Sequence, residues 1–171
     1  MKKNQVLKVV LASMLIAIAV VGSLFSFPLL GAKCAPVQHI VNIVCAVLLG
    51  PGYGVAVAFG ASFIRNCLSL GSFMAFPGSM IGAFLCGMAY KKTHRLSWTL
   101  AAEVFGTAVL GGLCAYPVAT LLMGIDAGQV AFYAYIIPFF ISTFGGSIIA
   151  GIVLGSLEKS GVLKNIQKRI G

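Results

Sequence analysis

The charged residues of this chain fall into three basic clusters, and the stretches between them are too apolar for a fold that faces water on all sides. Lys2, Lys3 and Lys8 open the sequence; Lys91, Lys92, His94 and Arg95 stand mid-chain; Lys159, Lys164, Lys168 and Arg169 close it. Only 9% of the 171 residues are charged and 60% are hydrophobic, whereas a soluble domain carries about a quarter charged residues. The chain therefore reads as an all-α membrane protein, since helices satisfy their own backbone hydrogen bonds in hydrocarbon. No length is left over for a soluble domain, so residues 1–171 read as a single transmembrane unit.

Basic loops stay in the cytoplasm, which puts all three clusters on one side and requires an even number of crossings between them. Breaks at Ser26–Pro36, Gly50-Pro51-Gly52 and Leu70–Pro77 cut the first interval into four apolar segments. A break at Gly124-Ile125-Asp126 cuts the second into two. The expectation is a six-helix bundle in the cell (plasma) membrane, multi-pass, with both termini cytoplasmic. Its spans are Leu7–Phe25, Pro36–Leu49, Tyr53–Ser69, Phe76–Tyr90, Ser97–Met123 and Val130–Leu157. The first shares its basic start and apolar run with a signal peptide, but no A-x-A pattern follows, and it reads as a retained helix. The basic C-terminal cluster reads as an amphipathic tail attracted to anionic lipid. Nucleic-acid binding is disfavoured because no folded domain remains to present the charge.

The second span is short. At 1.5 Å per residue it covers about 21 Å of a core about 30 Å thick. The preceding Ser26–Pro36 segment is then drawn inward, which membranes allow where backbone lines a cavity or packs on protein. That argues for a pocket on the outer side. Small residues recur at helical spacing in Gly78/Gly82/Cys86, Thr107/Gly111/Ala115, Ser147/Gly151/Gly155 and Ser13/Ala17, the pattern of close helix packing.

Polar residues inside such segments are costly and mark sites or interhelical clamps. Gln38, His39 and Asn42 share one helical face and supply donors and acceptors without a permanent charge. Ser62, Asn66 and Ser69 form a second stripe, with Arg65 beside it. Arg65 either snorkels to the headgroups or serves the site. Phe76-Pro77-Gly78-Ser79 opens the fourth span; it is either a plain helix start or a place where Phe76 stacks on a ring and Ser79 bonds it. Glu103 is the one acid well inside a span, and a polar lock between helices is its default role, ahead of ligand contact or proton coupling. Tyr116, next to Pro117, stands toward the outer end, as do Tyr133 and Tyr135.

Five cysteines (Cys34, Cys45, Cys67, Cys86, Cys114) show no C-x-x-C spacing, so neither a metal nor a redox site is expected. Cys34 alone is expected near an aqueous face, and Lys33 directly before it argues against a lipoprotein site. No P-loop, G-x-S-x-G or H-E-x-x-H motif occurs, so the reading is a non-enzymatic binding protein with no cofactor and no energy source of its own.

The runs Lys33-Cys34-Ala35-Pro36-Val37-Gln38-His39-Ile40-Val41-Asn42 and Ala46-Val47-Leu48-Leu49-Gly50-Pro51 resemble ThiW-type S components of energy-coupling factor (ECF) transporters. So do Ser62-Phe63-Ile64-Arg65-Asn66, Ala75-Phe76-Pro77-Gly78-Ser79-Met80, Glu103-Val104-Phe105-Gly106-Thr107 and Tyr116-Pro117. The resemblance implies a six-helix substrate-capture subunit of a prokaryotic importer. It would bind hydroxyethylthiazole, the thiazole precursor of thiamin, near the outer surface and would work with a T component and two cytoplasmic ATPases. The A-x-x-x-A pattern by which S components dock is matched best by Ser13 and Ala17, with Ala12 and Ala19 as nearby alternatives. Gln38, His39, Asn42, Arg65, Asn66, Phe76, Ser79 and Tyr116 are the candidate substrate-binding residues. The competing readings are a stand-alone permease or channel, which an inverted repeat would favour and none is seen, an S component for another vitamin, and a small intramembrane enzyme using His39 or Glu103.

Overall fold

The computed structural model describes residues 3–30 and 32–170; Lys2 of the first basic cluster lies outside them. Helix α1 (Lys3–Gly22) runs into a 3-10 turn, Ser23–Phe25, and then into a short antiparallel hairpin of β1 (Phe27–Leu29) and β2 (Ala32–Cys34), with Phe27 opposite Cys34. Helices α2 (Pro36–Leu49), α3 (Pro51–Cys67) and α4 (Ala75–Thr93) follow. Helix α5 (Leu96–Val104) continues through a π-helical segment, Phe105–Gly111, into α6 (Gly112–Leu122). Helix α7 (Ile136–Lys159) and the short α8 (Val162–Ile170) complete the chain. Among the described residues the protein is all-α apart from the hairpin, and three helical stretches are long and apolar enough to cross a membrane: Asn4–Phe25, Leu96–Leu122 and Ile136–Lys159.

Local chemistry explains most boundaries. Pro36 and Pro51 each stand in a first helical turn, where a missing N–H costs nothing. Gly50, at φ 84°, ends α2 and redirects the chain into α3. Helix α4 runs three residues beyond the expected Tyr90, through Lys91 and Lys92, both good helix formers, and closes where His94 turns left-handed. The sixth expected span starts six residues late, at Ile136 rather than Val130. Residues before it form turns that pack Ile125, Val130 and Tyr135 against Ala32, Met74, Ala115, Ala119 and Phe139 at the hairpin end of the bundle.

Two of the small-residue stripes meet face to face. Gly78 and Gly82 on α4 lie against Gly111 and Thr107 of the long α5–α6 rod, and Cys86 and Ala115 on the same stripes are buried. The third stripe does not pack this way: a Cβ on Gly151 would meet the Leu100 side chain and one on Gly155 would meet nothing within 4 Å. Helix α4 is central, in contact with α2, α3, α5 and α6. Cys34 is a correction to the sequence reading. It is buried, and its Sγ donates to Pro138 O at 3.2 Å, while Cys67 and Cys114 are the exposed thiols. Burial also pushes the Cys34 thiol up.

At the other end α8 folds back instead of trailing. Leu163 and Ile170 are buried, Gln167 Nε2 donates to Val47 O and Tyr90 Oη at 2.9 Å, and Lys164, Lys168 and Arg169 face outward. A Cβ on Gly111 would stand 2.5 Å from the Gly78 α-carbon, so Gly111→Ala must part α4 from the rod. We expect a loss of about 1–3 kcal/mol, read as a lowered thermal unfolding midpoint of the detergent-solubilised protein.

Candidate functional site

The site is built around Glu103, which is fully buried on α5. Its Oε1 accepts from Asn42 Nδ2 at 2.9 Å, lies 3.0 Å from His39 Nδ1 and lies 3.3 Å from Thr107 Oγ1. Placing an acid in a span costs about 2.5–3.5 kcal/mol on insertion scales. Hydrogen bonds to a charged group are worth about 1.5–3 kcal/mol each, and about 0.6 kcal/mol is the mean for bonds between helices in a bilayer. His39 and Asn42 together offset about a third to a half of the cost at the lower figure and meet it at the higher, and Oε2 has no partner among the described residues. With Glu103 ionised, the network assigns the proton of His39 to Nδ1 and leaves Nε2 as an acceptor. The Thr107 hydroxyl has one proton to divide between Glu103 and Gly78 O, also at 3.3 Å. Gly82 makes the approach possible, because a Cβ there would stand 2.9 Å from Glu103 Oε2 and would collide with Thr107 Oγ1.

A second chain of bonds leads away from Glu103 toward the hairpin. Arg65 Nη1 donates to Gln38 Oε1 at 3.3 Å, and Gln38 Nε2 donates to Asn42 Oδ1 at 3.1 Å. Asn42 Nδ2 then donates to Glu103 and to Ser79 O at 3.2 Å. Arginine only donates and an ionised carboxylate only accepts, so the two ends dictate how both amides between them are turned. Snorkelling is excluded for Arg65, which is 2% exposed. Ser79 Oγ donates to Ala75 O at 2.7 Å and sits 3.1 Å from Ser62 Oγ.

Above this network lies a cavity of about 30 Å³, lined by residues that include Lys33, Gln38, His39, Arg65, Ser79 and Thr107. Ala35, Ala75, Gly78, Phe139 and Ser142 complete the wall. Ser142 Oγ accepts from Ala35 N at 2.9 Å, tying α7 to the hairpin end of α2. Lys33, on the hairpin, donates through Nζ to Ser69 O at 3.3 Å and bridges the hairpin to the α3–α4 loop. The volume admits a water molecule or two, and a five-membered heterocycle needs more room, so a ligand of that size enters only if the hairpin or the loop yields.

Four of the candidate residues, Gln38, His39, Arg65 and Ser79, line this cavity. Asn42 lies beneath it, fully buried and bonded to Glu103. Asn66 stands aside; its Nδ2 donates to Ser62 O at 2.8 Å and Ser72 O at 3.2 Å and so clamps the α3–α4 loop over Arg65. Phe76 and Tyr116 are not in the lining. Phe76 packs on the exposed Phe59, with ring centres 5.7 Å apart, and Tyr116 Oη donates to Ala127 O at 3.4 Å. Tyr133 is exposed, whereas Tyr135 is buried in the apolar cluster at the hairpin end. Thr107, expected only in a packing stripe, and Phe139 and Ser142 were not among the candidate binding residues. Thr107, four residues after Glu103, carries the one local signal.

On α1, Ser13 and Ala17 face outward, while Ala12 is half-buried and packs with Ala19 toward α3. Ser13, Ile16, Ala17, Val20, Val21 and Ile64 line an apolar groove.

A small polar chamber enclosed by apolar helices is the arrangement of a membrane transport protein that holds a small solute. Comparison with known families agrees: residues 9–160 match the family model ThiW, thiamine-precursor transporter protein. The chain belongs to that family. No curated protein and no solved structure matches it.

Removing the carboxylate of Glu103 orphans the buried His39, Asn42 and Thr107 groups together. Glu103→Ala is expected to cost about 3 kcal/mol or more and Glu103→Gln less, because the amide oxygen still accepts. Thermal unfolding of both variants in detergent measures the difference, and equal midpoints would remove Glu103 from its central place.

Proposed function

We propose that this protein is the substrate-capture subunit of an ECF-type importer and that it binds hydroxyethylthiazole, the thiazole precursor of thiamin. The observation that carries the reading is the chamber bounded by Gln38, His39, Arg65 and Ser79 within a chain of the thiamine-precursor transporter family. In this reading α1, α2, α3, α4, the α5–α6 rod and α7 make six crossings of the cell membrane, all within one domain over residues 1–171. The basic residues Lys91, Lys92, Arg95, Lys159, Lys164, Lys168 and Arg169 lie on the α8 side, which the positive-inside rule makes cytoplasmic, along with both termini. The hairpin end then faces outward, and Lys33 and Arg65, the basic exceptions on that side, belong to the site.

His39 Nε2 and Ser79 Oγ, whose own proton goes to Ala75 O, accept from a ligand hydroxyl, and Arg65 donates to an acceptor such as a ring nitrogen. Asn42 supports the first two from below, and Asn66 holds the loop that covers them. Phe76 and Tyr116, proposed from sequence as stacking faces, reach a ligand only if the closed chamber opens toward them. Phe139 stands in the wall already and is the aromatic surface a ring would meet. Calorimetric titration of the purified protein with hydroxyethylthiazole, with thiamin and its pyrimidine precursor as controls, tests the reading. Tight binding of the thiazole alone is expected, weakened about tenfold or more by His39→Ala, as loss of one buried hydrogen bond predicts. Absence of thiazole binding to folded protein would refute the substrate.

The sequence carries no P-loop, and in this reading the energy for import comes from partners, a T component and two cytoplasmic ATPases. The outward pair Ser13 and Ala17 supports docking on α1, where small side chains let another helix approach closely; Ala12 contributes by letting α1 sit close to α3. Ala17→Trp fills this groove, which shares no lining residue with the chamber. It is expected to abolish thiazole uptake by cells while leaving the titration of the purified protein unchanged. Uptake at the original rate would argue for a different docking face or a stand-alone permease.

A further inference from the structure

The charges around the chamber do not balance, and the imbalance bears on what the ligand carries. Two cations, Lys33 and Arg65, line the cavity, and no acid does. The whole chain has three acids, Glu103, Asp126 and Glu158. Asp126 is in the α6–α7 connection, where its Oδ1 accepts from Gly128 N at 2.9 Å. Glu158 is in the last turn of α7, at the opposite end of the bundle from the hairpin. Glu103 is shut beneath the chamber, with its Oε1 already serving Asn42, His39 and Thr107, and it meets Arg65 only through the intervening amides of Gln38 and Asn42.

Arg65 itself is under-used. Its guanidinium has five N–H donors, yet among the described residues its side chain makes one hydrogen bond, to Gln38, and its buried Nε has no partner at all. A buried charge is tolerated when it is paired and its hydrogen bonds are met. A planar fork of donors matches a carboxylate or a phosphate better than a single hydroxyl oxygen. Lys33, at the mouth, adds a second positive charge that draws an anion toward the chamber. Its present acceptor, Ser69 O at 3.3 Å, is a neutral carbonyl that an anionic oxygen would outcompete.

We infer that Arg65, assisted by Lys33, is an anion-recognition point, so that the chamber binds the neutral alcohol but binds thiazoles bearing a carboxylate or a phosphate monoester more tightly. This rests on the thiazole-binding reading above and narrows its substrate class. One end of the ligand meets the guanidinium, and the heterocycle lies toward Phe139, Ser142 and His39. The net positive charge of the lining is met by the ligand instead of by the protein, which leaves the unloaded chamber with an unpaired cation and gives the loaded one an ion pair.

The experiment is a competition on the purified full-length protein in detergent, with three probes of one scaffold: hydroxyethylthiazole, its phosphate monoester, and the thiazole with an acetic acid side chain in place of the hydroxyethyl group. At least one anionic probe is expected to bind tenfold or more tightly than the alcohol, and the phosphate and carboxylate arms identify which group the fork prefers. In Arg65→Gln that ratio is expected to fall toward one, with Arg65→Lys intermediate and Lys33→Gln giving a smaller loss. An alcohol that binds as tightly as both anions overturns the anion assignment and leaves the thiazole reading standing. An anion preference that persists in folded Arg65→Gln overturns the role of Arg65. Failure of all three probes to bind the folded wild-type protein overturns this inference together with the thiazole reading. The wild-type ratio needs no variant, so misfolding of Arg65→Gln leaves the proposal open to refutation.

Discussion

A carboxylate buried at the centre of an apolar bundle organises this structure. Glu103 has no solvent to turn to, so its Oε1 is met by groups brought in from two directions, His39 and Asn42 on α2 and Thr107 on its own rod, while Oε2 has no partner among the described residues. Meeting them demands that α2 and the α5–α6 rod stand at a set separation and rotation. It also demands that α4, which runs between them, be thin at that level. Gly82 and Gly78 supply the thinness, and the π-helical segment Phe105–Gly111 contributes the facing small residues Gly106 and Gly111. The wider turn of a π segment is rare and is frequently found at functional sites. Here it lies directly after the residue that most needs its surroundings arranged.

From that anchor the polar chemistry propagates in one direction. Every link from Arg65 through Gln38 and Asn42 to Glu103 donates toward the carboxylate. Reversing either amide would set donor against donor or acceptor against acceptor. A chain polarised in this way is stiffer than its separate bonds would be, which suits a chamber that must present defined groups. The cover is different in kind. The hairpin is tied to the α3–α4 loop by the exposed Lys33–Ser69 contact and to α7 by Cys34 and Ala35. The hairpin parts from the loop once the single Lys33 bond breaks, whereas moving the floor would break the whole network. The division into a rigid polar floor and a lightly held cover fits a protein that admits a solute from one side.

Much of the architecture was legible because hydrophobic runs and breakers are local signals. The Pro36 and Gly50-Pro51 boundaries of α2 are where the sequence places them, and the polar face of that helix follows from spacing alone. The hairpin was not legible as strands. Three residues each, with Pro28 in one and Lys33 in the other, carry no alternation long enough to read. The stretch before α7 is apolar enough to pass for helix from Val130, yet tertiary packing holds Tyr135 and Val130 in turns over Ala32 and Met74. Cys34 looked accessible because it lies between the apolar segments that hold the other four cysteines, but strand alternation turns Lys33 outward and Cys34 into the core. Phe76 and Tyr116 were plausible ring-stacking partners by chemistry. Their helical rotation directs one to Phe59 and the other to the Ala127 carbonyl.

What the sequence determined by itself is the membrane character, the apolar segments and the short list of polar residues that such a setting cannot hold without purpose. These follow from composition and period, since transfer into hydrocarbon acts on each residue and each segment separately. What only the tertiary structure decided is which of those residues meet. Gln38, His39, Arg65 and Ser79 reach one chamber while Asn66, Phe76 and Tyr116 do other work, and Glu103, alone in its span, becomes the acceptor for three donors. The reason is physical. A hydrogen bond a few ångströms long depends on the relative rotation and separation of two helices, and these are set by glycines and packing contacts from elements far apart in the chain.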